Sequence, residues 1–232
     1  MRSITELPAW ERLLKKMTWA QLGSFSGKRI LDFGSGCGIT ANHYAKENSV
    51  IAIEPSTEML KDSWKDHCYT QLIGDISALS AVADDSFDVV ICHNVLEYVE
   101  NKAQVAAELC RVLKPGGTLS VIKHNRAGRV MQMAVLLDDL DKAHSLLNGN
   151  DGMASQFGVI RYYDDEDVVR WAPELTLTKC LGIRTFWDLQ QNQAKHGDEE
   201  WQSRMMALEM RVSDMEEYRR IAFFHHLLFT KG

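Results

Sequence analysis

No stretch of this chain stays apolar for the ~18 residues needed to cross a bilayer. The opening segment, MRSITELPAWERLL, lacks an apolar signal core and contains acids, so secretion is not expected. Five cysteines, Cys37, Cys68, Cys92, Cys110 and Cys180, are an odd and scattered set without a CxxC pair. That pattern argues against a disulfide framework and against a zinc site. Three of them lie in apolar, strand-like or helical stretches, where a reduced cysteine packs as a small hydrophobe, so a reducing cytoplasm is the expected setting. A basic excess is also missing: 26 Lys and Arg face 32 Asp and Glu, a formal charge of −6. Nucleic-acid binders usually carry the opposite balance, so contact with phosphate would need a local basic patch. Nothing repeats, and Asn148 to Gly158 is the one glycine-rich, loop-like stretch of note.

What remains is a chain of 232 residues, 45% hydrophobic, enough for one α/β domain with a small cap. Residues 3–22 read as a helix, with Ser3 and Glu6 as a capping box and Leu7, Trp10, Leu13, Leu14 and Met17 at helical spacing. Strand-like runs follow at Lys28–Phe33, Val50–Glu54, Tyr69–Gly74, Phe87–His93 and Thr118–His124. Helical segments separate them at 39–46, 57–66 (capped by Ser56) and 102–113, the last closed by Pro115-Gly116-Gly117. Strands alternating with helices imply a mostly parallel sheet covered on both faces. Arg129 to Leu147 reads as a helix inserted after the fifth strand, over the strand ends where open α/β sheets bind ligands. Asp164–Trp171 is a further helix, and the acidic run that opens it reads as a cap. Leu175–Arg184 and Ile221–Thr230 are two final strands, expected antiparallel, around an acidic helix near Asp198–Met210.

The sharpest local feature is ILDFGSGCG, an apolar strand running into Asp32 and then Gly34, Ser35, Gly36 and Gly38. Glycines let a backbone turn tightly and let a ligand touch the main chain. The G-x-G-x-G spacing is not the G-x-G-x-x-G of a pyrophosphate turn, and read alone it also fits a glycine turn in some other α/β protein. Glu54 ends the next strand, where a carboxylate accepts both hydroxyl protons of a ribose; alternatively it is a solvated acid. Asp75, in QLIGDIS, suits either an adenine amino group or a helix cap. FDVVICHNVLEYV is a buried strand that breaks into His93 and Asn94, and ELCRVLKPGGTLSVI is a helix, a turn and another buried strand.

Over residues 28–124 these five blocks resemble the class I S-adenosylmethionine (SAM)-dependent methyltransferases of the methyltransferase-11 type. The resemblance implies a Rossmann-like, seven-stranded sheet with an antiparallel last strand. It also implies SAM as cofactor, lined by Gly34, Ser35, Gly36, Glu54, Asp75, Ile76 and His93, with Asp32 on the ammonium side. Residues 1–232 then form a single domain: a 28–124 core, a 126–160 helical cap and a 175–232 region of C-terminal strands and acidic helix.

The segments HNRAGRVMQM, LTLTKCLGIRTFWDL, WQSRMMALEMRVS and YRRIAFFHHLLFTK are similar to the tRNA 5-carboxymethoxyuridine methyltransferase family, with Asn125 and Gly128, then Gly182, Arg184 and Phe186, at its motif positions. That resemblance implies a carboxylate acceptor on a tRNA wobble uridine. Arg184 is the expected carboxylate clamp, helped by Arg126 or Arg129, with Asn125 and His124 alongside. An ionised carboxylate needs no general base; for a phenol or amine, His93, His124 or Tyr163 would serve. A small-molecule O- or N-methyltransferase and a non-catalytic SAM-binding module stay open as alternatives. No metal site is expected: His225 and His226 are neighbours on a strand and point to opposite faces, and His93 with Glu97 has no third ligand.

Overall fold

The computed structural model describes residues 2–155 and 157–232. Ser3 and Glu6 do form a capping box, but it closes only a 3-10 turn over Ile4–Glu6. Pro8 has no N–H to continue it, so the main helix α1 starts afresh at Ala9–Leu22. It buries Leu13, Leu14, Met17, Thr18 and Leu22 on one stripe and ends at Gly23. Trp10 is left 45% exposed.

The core alternates as its sequence period dictates: β1 (Arg29–Phe33), α2 (Ile39–Ala45), β2 (Ser49–Glu54), α3 (Thr57–Lys61), β3 (Thr70–Ile73), β4 (Phe87–His93), α4 (Lys102–Val112) and β5 (Leu113–His124). The Pro115-Gly116-Gly117 segment lies inside β5 rather than before it, beside the register shift between Phe87 and Val89 that lets the proline sit in the sheet. β1 shows the two-sided burial of a central parallel strand: Leu31 and Phe33 face one core layer, Ile30 the other.

The expected 129–147 helix is three pieces: α5 (Arg126–Met131), a π-helical turn over Gln132–Leu136, and α6 (Leu140–Leu147). Asp138 breaks it with φ of +50°, and Asp139 caps α6 through Lys142 N–H. The stretch read as a loop carries a short antiparallel hairpin, β6 (Gly152–Ala154) with β7 (Gly158–Ile160). Then come α7 (Asp167–Trp171), β8 (Leu175–Ile183), α8 (Glu199–Val212), α9 (Glu216–Arg219) and β9 (Phe224–Lys231).

The main sheet has seven strands in the order β3-β2-β1-β4-β5-β9-β8. All neighbours are parallel except β9, which runs antiparallel to both β5 and β8, as the two final strands were expected to do. The winding reverses between β1 and β4, and ligands of open α/β sheets sit at the carboxyl ends of the strands at such a switch point.

Candidate functional site

At that switch point the glycine turn hangs from β2: Gly34 N–H and Ser35 N–H both donate to Ile53 O, at 2.9 and 3.0 Å. Gly34 and Gly36 have φ of +75° and +57°. Glu54 is turned inward at the end of β2, where Gly36 N–H donates to Oε2 and Ser56 N–H to Oε1, each at 2.8 Å. Each oxygen keeps a second lone pair, so a carboxylate held this way still has room for two hydroxyl donors. It is buried rather than a solvated strand-end acid.

Asp32 lies next to it, 3% exposed, with Oδ2 lacking a hydrogen-bond partner among the described residues. Burial pushes its pKa up to about 6, while the Lys15 ammonium and the Ala41 backbone N–H pull it down. Lys15 reaches in from α1 and donates to Thr40 Oγ1 at 3.0 Å. An unpartnered buried carboxylate oxygen is costly unless a cation or donor completes it. Asn94 Oδ1, just beyond β4, is also buried and unpartnered, on a residue with φ of +55°.

Asp75 is exposed and its Oδ1 accepts from Ser77 N–H and Ser77 Oγ–H, so it caps the 3-10 turn Ile76–Leu79. Ile76 packs half-buried against the main core. His93 is committed to a polar chain through the sheet. Its Nε2 is 2.8 Å from Ser120 Oγ, which is 2.8 Å from His226 Nε2, and His226 Nδ1 is 2.8 Å from Gln21 Oε1. Burial drives His226 down to about 3 and His93 well below its ordinary value, so both are neutral.

The expected carboxylate clamp needs correcting. Arg184 is 7% exposed and forked onto Asp188, with Nε donating to Oδ2 at 2.8 Å and Nη2 to Oδ1. Its guanidinium also lies over the rings of Trp10, Phe223 and Phe224. The following turn is fixed by buried Glu209, which accepts from the N–H groups of Thr185, Phe186 and Trp187. A guanidinium whose planar fork is filled by an aspartate does not offer that fork to a ligand. Asn125 is likewise structural: its Oδ1 accepts from Ala127 N–H and its Nδ2 donates to Arg220 O and Ala222 O. Arg126 stacks on Tyr162 and donates to Leu146 O and Asn150 O, tying α5 to the end of α6.

Arg129 and His124 remain. Arg129 is half-buried over Phe223; it donates to the Gln132 side chain and, at the longer distance of 3.4 Å, to Met153 O. His124 Nε2 is 3.2 Å from Tyr98 Oη and its Nδ1 is buried without a partner. Burial first, then the Arg129 and Arg184 charges, lower His124 to about 3. Tyr162 Oη is another buried atom without a partner among the described residues. Sequence reading missed Lys15, Tyr98 and Tyr162, because each comes from an element whose position over the strand ends is set by tertiary packing. A shallow depression lined by Lys28, Glu47, Asp88 and Lys114 lies at the opposite, amino end of β1 and β4.

Glu97 is also deeply buried, 1% exposed, accepting from His124 N–H through Oε1 while Oε2 has no partner among the described residues. Burial raises its pKa from 4.5 to about 7. Below pH 4.5 it is protonated in both folded and unfolded chains. Above that the unfolded chain ionises first, so its contribution to stability is lost as pH rises through 7. The shift corresponds to about 3 kcal/mol. Urea denaturation at pH 5 and pH 8 is expected to show that much less pH dependence in Glu97→Gln than in the wild type. Equal dependence in both would mean Glu97 ionises freely in the folded chain.

These features define a Rossmann-like sheet of the class I methyltransferase type. Residues 31–121 match the family described as methyltransferase domain. A ubiquinone biosynthesis O-methyltransferase from Methylococcus capsulatus is 34% identical over 121 residues, covering 49% of this chain and 50% of the relative. This chain thus spans about half the length of the curated relatives it matches. Among solved structures, a Mesorhizobium loti S-adenosylmethionine-dependent methyltransferase superposes with TM-score 0.58 at 17% identity, over 99% of this chain and 100% of that one. The [4+2]-cyclase SpnF superposes with TM-score 0.57 at 18% identity, over 95% and 80%. The fold alone therefore does not fix the reaction.

Proposed function

We propose that this chain transfers the methyl group of SAM to an ionised oxygen of an acceptor held beneath the cap. The observation that carries the reading is Asp32 Oδ2, buried and unpartnered between the glycine turn and Lys15. An α-amino acid end fits there, its ammonium on Asp32 and its carboxylate toward Lys15, while Glu54 takes the ribose hydroxyls and Asp75 with Ile76 the adenine. When bound, SAM supplies an electrophilic methyl on a good leaving group.

The chain's own task is to position and desolvate the acceptor. His124, with a pKa of about 3, is too weak a base to take a proton from a phenol at neutral pH. The acceptor therefore arrives already ionised, and Arg129, whose charge reaches His124, is the cation assigned to balance it as it leaves water. The rim of the cap is apolar: Leu137, Leu140, Met153 and Phe157 are each more than half exposed. An acceptor with an apolar or aromatic body and an acidic oxygen suits that rim. The M. capsulatus relative, described as an O-methyltransferase of ubiquinone biosynthesis, supports an oxygen acceptor of small-molecule size.

A narrower second reading is the carboxylate of a modified tRNA wobble uridine, supported by the segments around Asn125 and Phe186. The net charge of −6 favours the small acceptor. Labelled SAM tests both, offered with tRNA bearing or lacking carboxymethoxyuridine and with a panel of carboxylic acids and acidic phenols. Arg129→Ala is expected to lower kcat/KM about 10- to 100-fold, the scale of one charged contact, while leaving SAM affinity nearly unchanged. Labelling of the modified tRNA alone would select the tRNA reading. Tight SAM binding with no oxygen methylated in any arm would sink the methyl-transfer proposal.

A further inference from the structure

Three side chains from distant parts of the chain meet beside β9. Asp165, between β7 and α7, has Oδ2 2.8 Å from His225 Nδ1 on β9 and 3.5 Å from Cys180 Sγ on β8. All three ligand-type atoms lie within 4.8 Å of one another. The other ring nitrogen of His225 is 3.1 Å from Arg219 O. A carbonyl only accepts, so Nε2 must carry the hydrogen. His225 Nδ1 thus faces Asp165 Oδ2, an acceptor, at 2.8 Å, and a positive centre, a proton or a metal ion, holds the two together.

We propose that this centre is a divalent metal of zinc type, bound by Asp165 Oδ2, Cys180 Sγ and His225 Nδ1. Tetrahedral bonds of about 2.0–2.3 Å place ligand atoms roughly 3.3–3.6 Å apart, so Cys180 and Asp165 already stand at the right distance and His225 needs to recede by well under 1 Å. Lys123 Nζ holds the remaining oxygen, Asp165 Oδ1, at 2.8 Å and so fixes the carboxylate's orientation; Arg219 O does the same for the ring. A cleft of about 390 Å³ lined by Lys123, Tyr162, Asp164 and His225 opens onto the cluster and leaves room for water as a fourth ligand. Imidazole with thiolate and carboxylate suits zinc rather than magnesium or calcium. Binding displaces the thiol proton of Cys180 to solvent, and the −2 charge of thiolate and carboxylate matches the ion. The occupied site ties the segment carrying Tyr162 to β8 and β9.

The test is a titration of chelator-treated, reduced protein with Co²⁺, followed by displacement with Zn²⁺. One equivalent is expected to produce tetrahedral cobalt bands with a thiolate-to-metal charge-transfer band, both bleached by Zn²⁺. Cys180→Ser, close in size, is expected to lose the charge-transfer band and bind Co²⁺ at least tenfold more weakly. Cys68→Ser, at an exposed thiol, is the control and should leave both unchanged. Wild-type protein with no thiolate band, or a band that survives in Cys180→Ser, overturns the proposal. Nitrogen-15 spectra showing His225 doubly protonated in the presence of Zn²⁺ would do the same, assigning the positive centre to a proton.

Discussion

Glu54→Ala is expected to bind SAM and S-adenosylhomocysteine ten- to a hundredfold more weakly than the wild type. A charged acceptor serving two hydroxyls contributes about 1.5–3 kcal/mol, which is that range in affinity. The structure adds a second loss, since the same carboxylate anchors Gly36 N–H and Ser56 N–H. Those two donors have no alternative partner in view once it is gone, and the turn that must touch the ligand loosens. Glu54→Gln separates the two contributions. An amide keeps one acceptor oxygen but turns an NH₂ toward a backbone N–H, so only one of the two anchors survives. Its affinity is expected to fall as well, with a smaller drop in thermal midpoint than the alanine variant. Calorimetry giving equal SAM affinity for wild type and Glu54→Ala would remove Glu54 from the site.

The placement of Glu54, buried at the end of β2 beside the glycine turn, was legible in the sequence because its context is local: an apolar run of strand length ends on an acid one strand after a glycine turn. The same holds for β1 to β5, whose apolar runs are bounded by turn residues, and for the antiparallel final pair. Arg184 was not legible. It follows the glycine at the end of β8 as a ligand-binding arginine would, yet with φ of +62° its side chain folds back onto Asp188. The turn beyond it is held by Glu209, more than twenty residues away on α8. Residue spacing carries no trace of that contact. The single helix over 129–147 failed for a different reason: the apolar pattern stays helical, while a π-helical turn at Gln132–Leu136 and Asp138 in a left-handed conformation divide it. Asp165, read as a helix cap, is taken by Lys123 and His225 instead. Its cluster draws on positions 165, 180 and 225, far wider than the local spacings of sequence metal motifs, so residue spacing carries no sign that the fold brings these three side chains together.

The two glycines of the turn are expected to answer substitution in opposite ways. Gly36→Val should stay folded and lose at least a hundredfold in SAM affinity. A Cβ there would meet only the terminal methyl of Met59, at 3.0 Å, and that end of a flexible side chain moves aside. What suffers is the ligand's approach to the main chain, together with a β-branched residue forced to φ of +57°. Gly34→Ala should instead destabilise the protein, by about 2–4 kcal/mol when left-handed strain and overpacking are added. Its Cβ would stand 2.2 Å from Val95 Cγ2, with Val95 Cβ and Cγ1 both at 3.4 Å, so Val95 must leave its rotamer or the backbone must shift. A double-mutant cycle divides the cost. Val95→Ala removes the clashing methyls and keeps the Cβ at its tolerable distance, so Gly34→Ala in that background should recover the overpacking share but not the strain at φ of +75°. Chemical denaturation of the four proteins, paired with SAM calorimetry on Gly36→Val, measures both halves. Additive losses in the cycle would mean Gly34 and Val95 do not touch, and full SAM affinity in a folded Gly36→Val would mean the turn serves the fold and not the ligand.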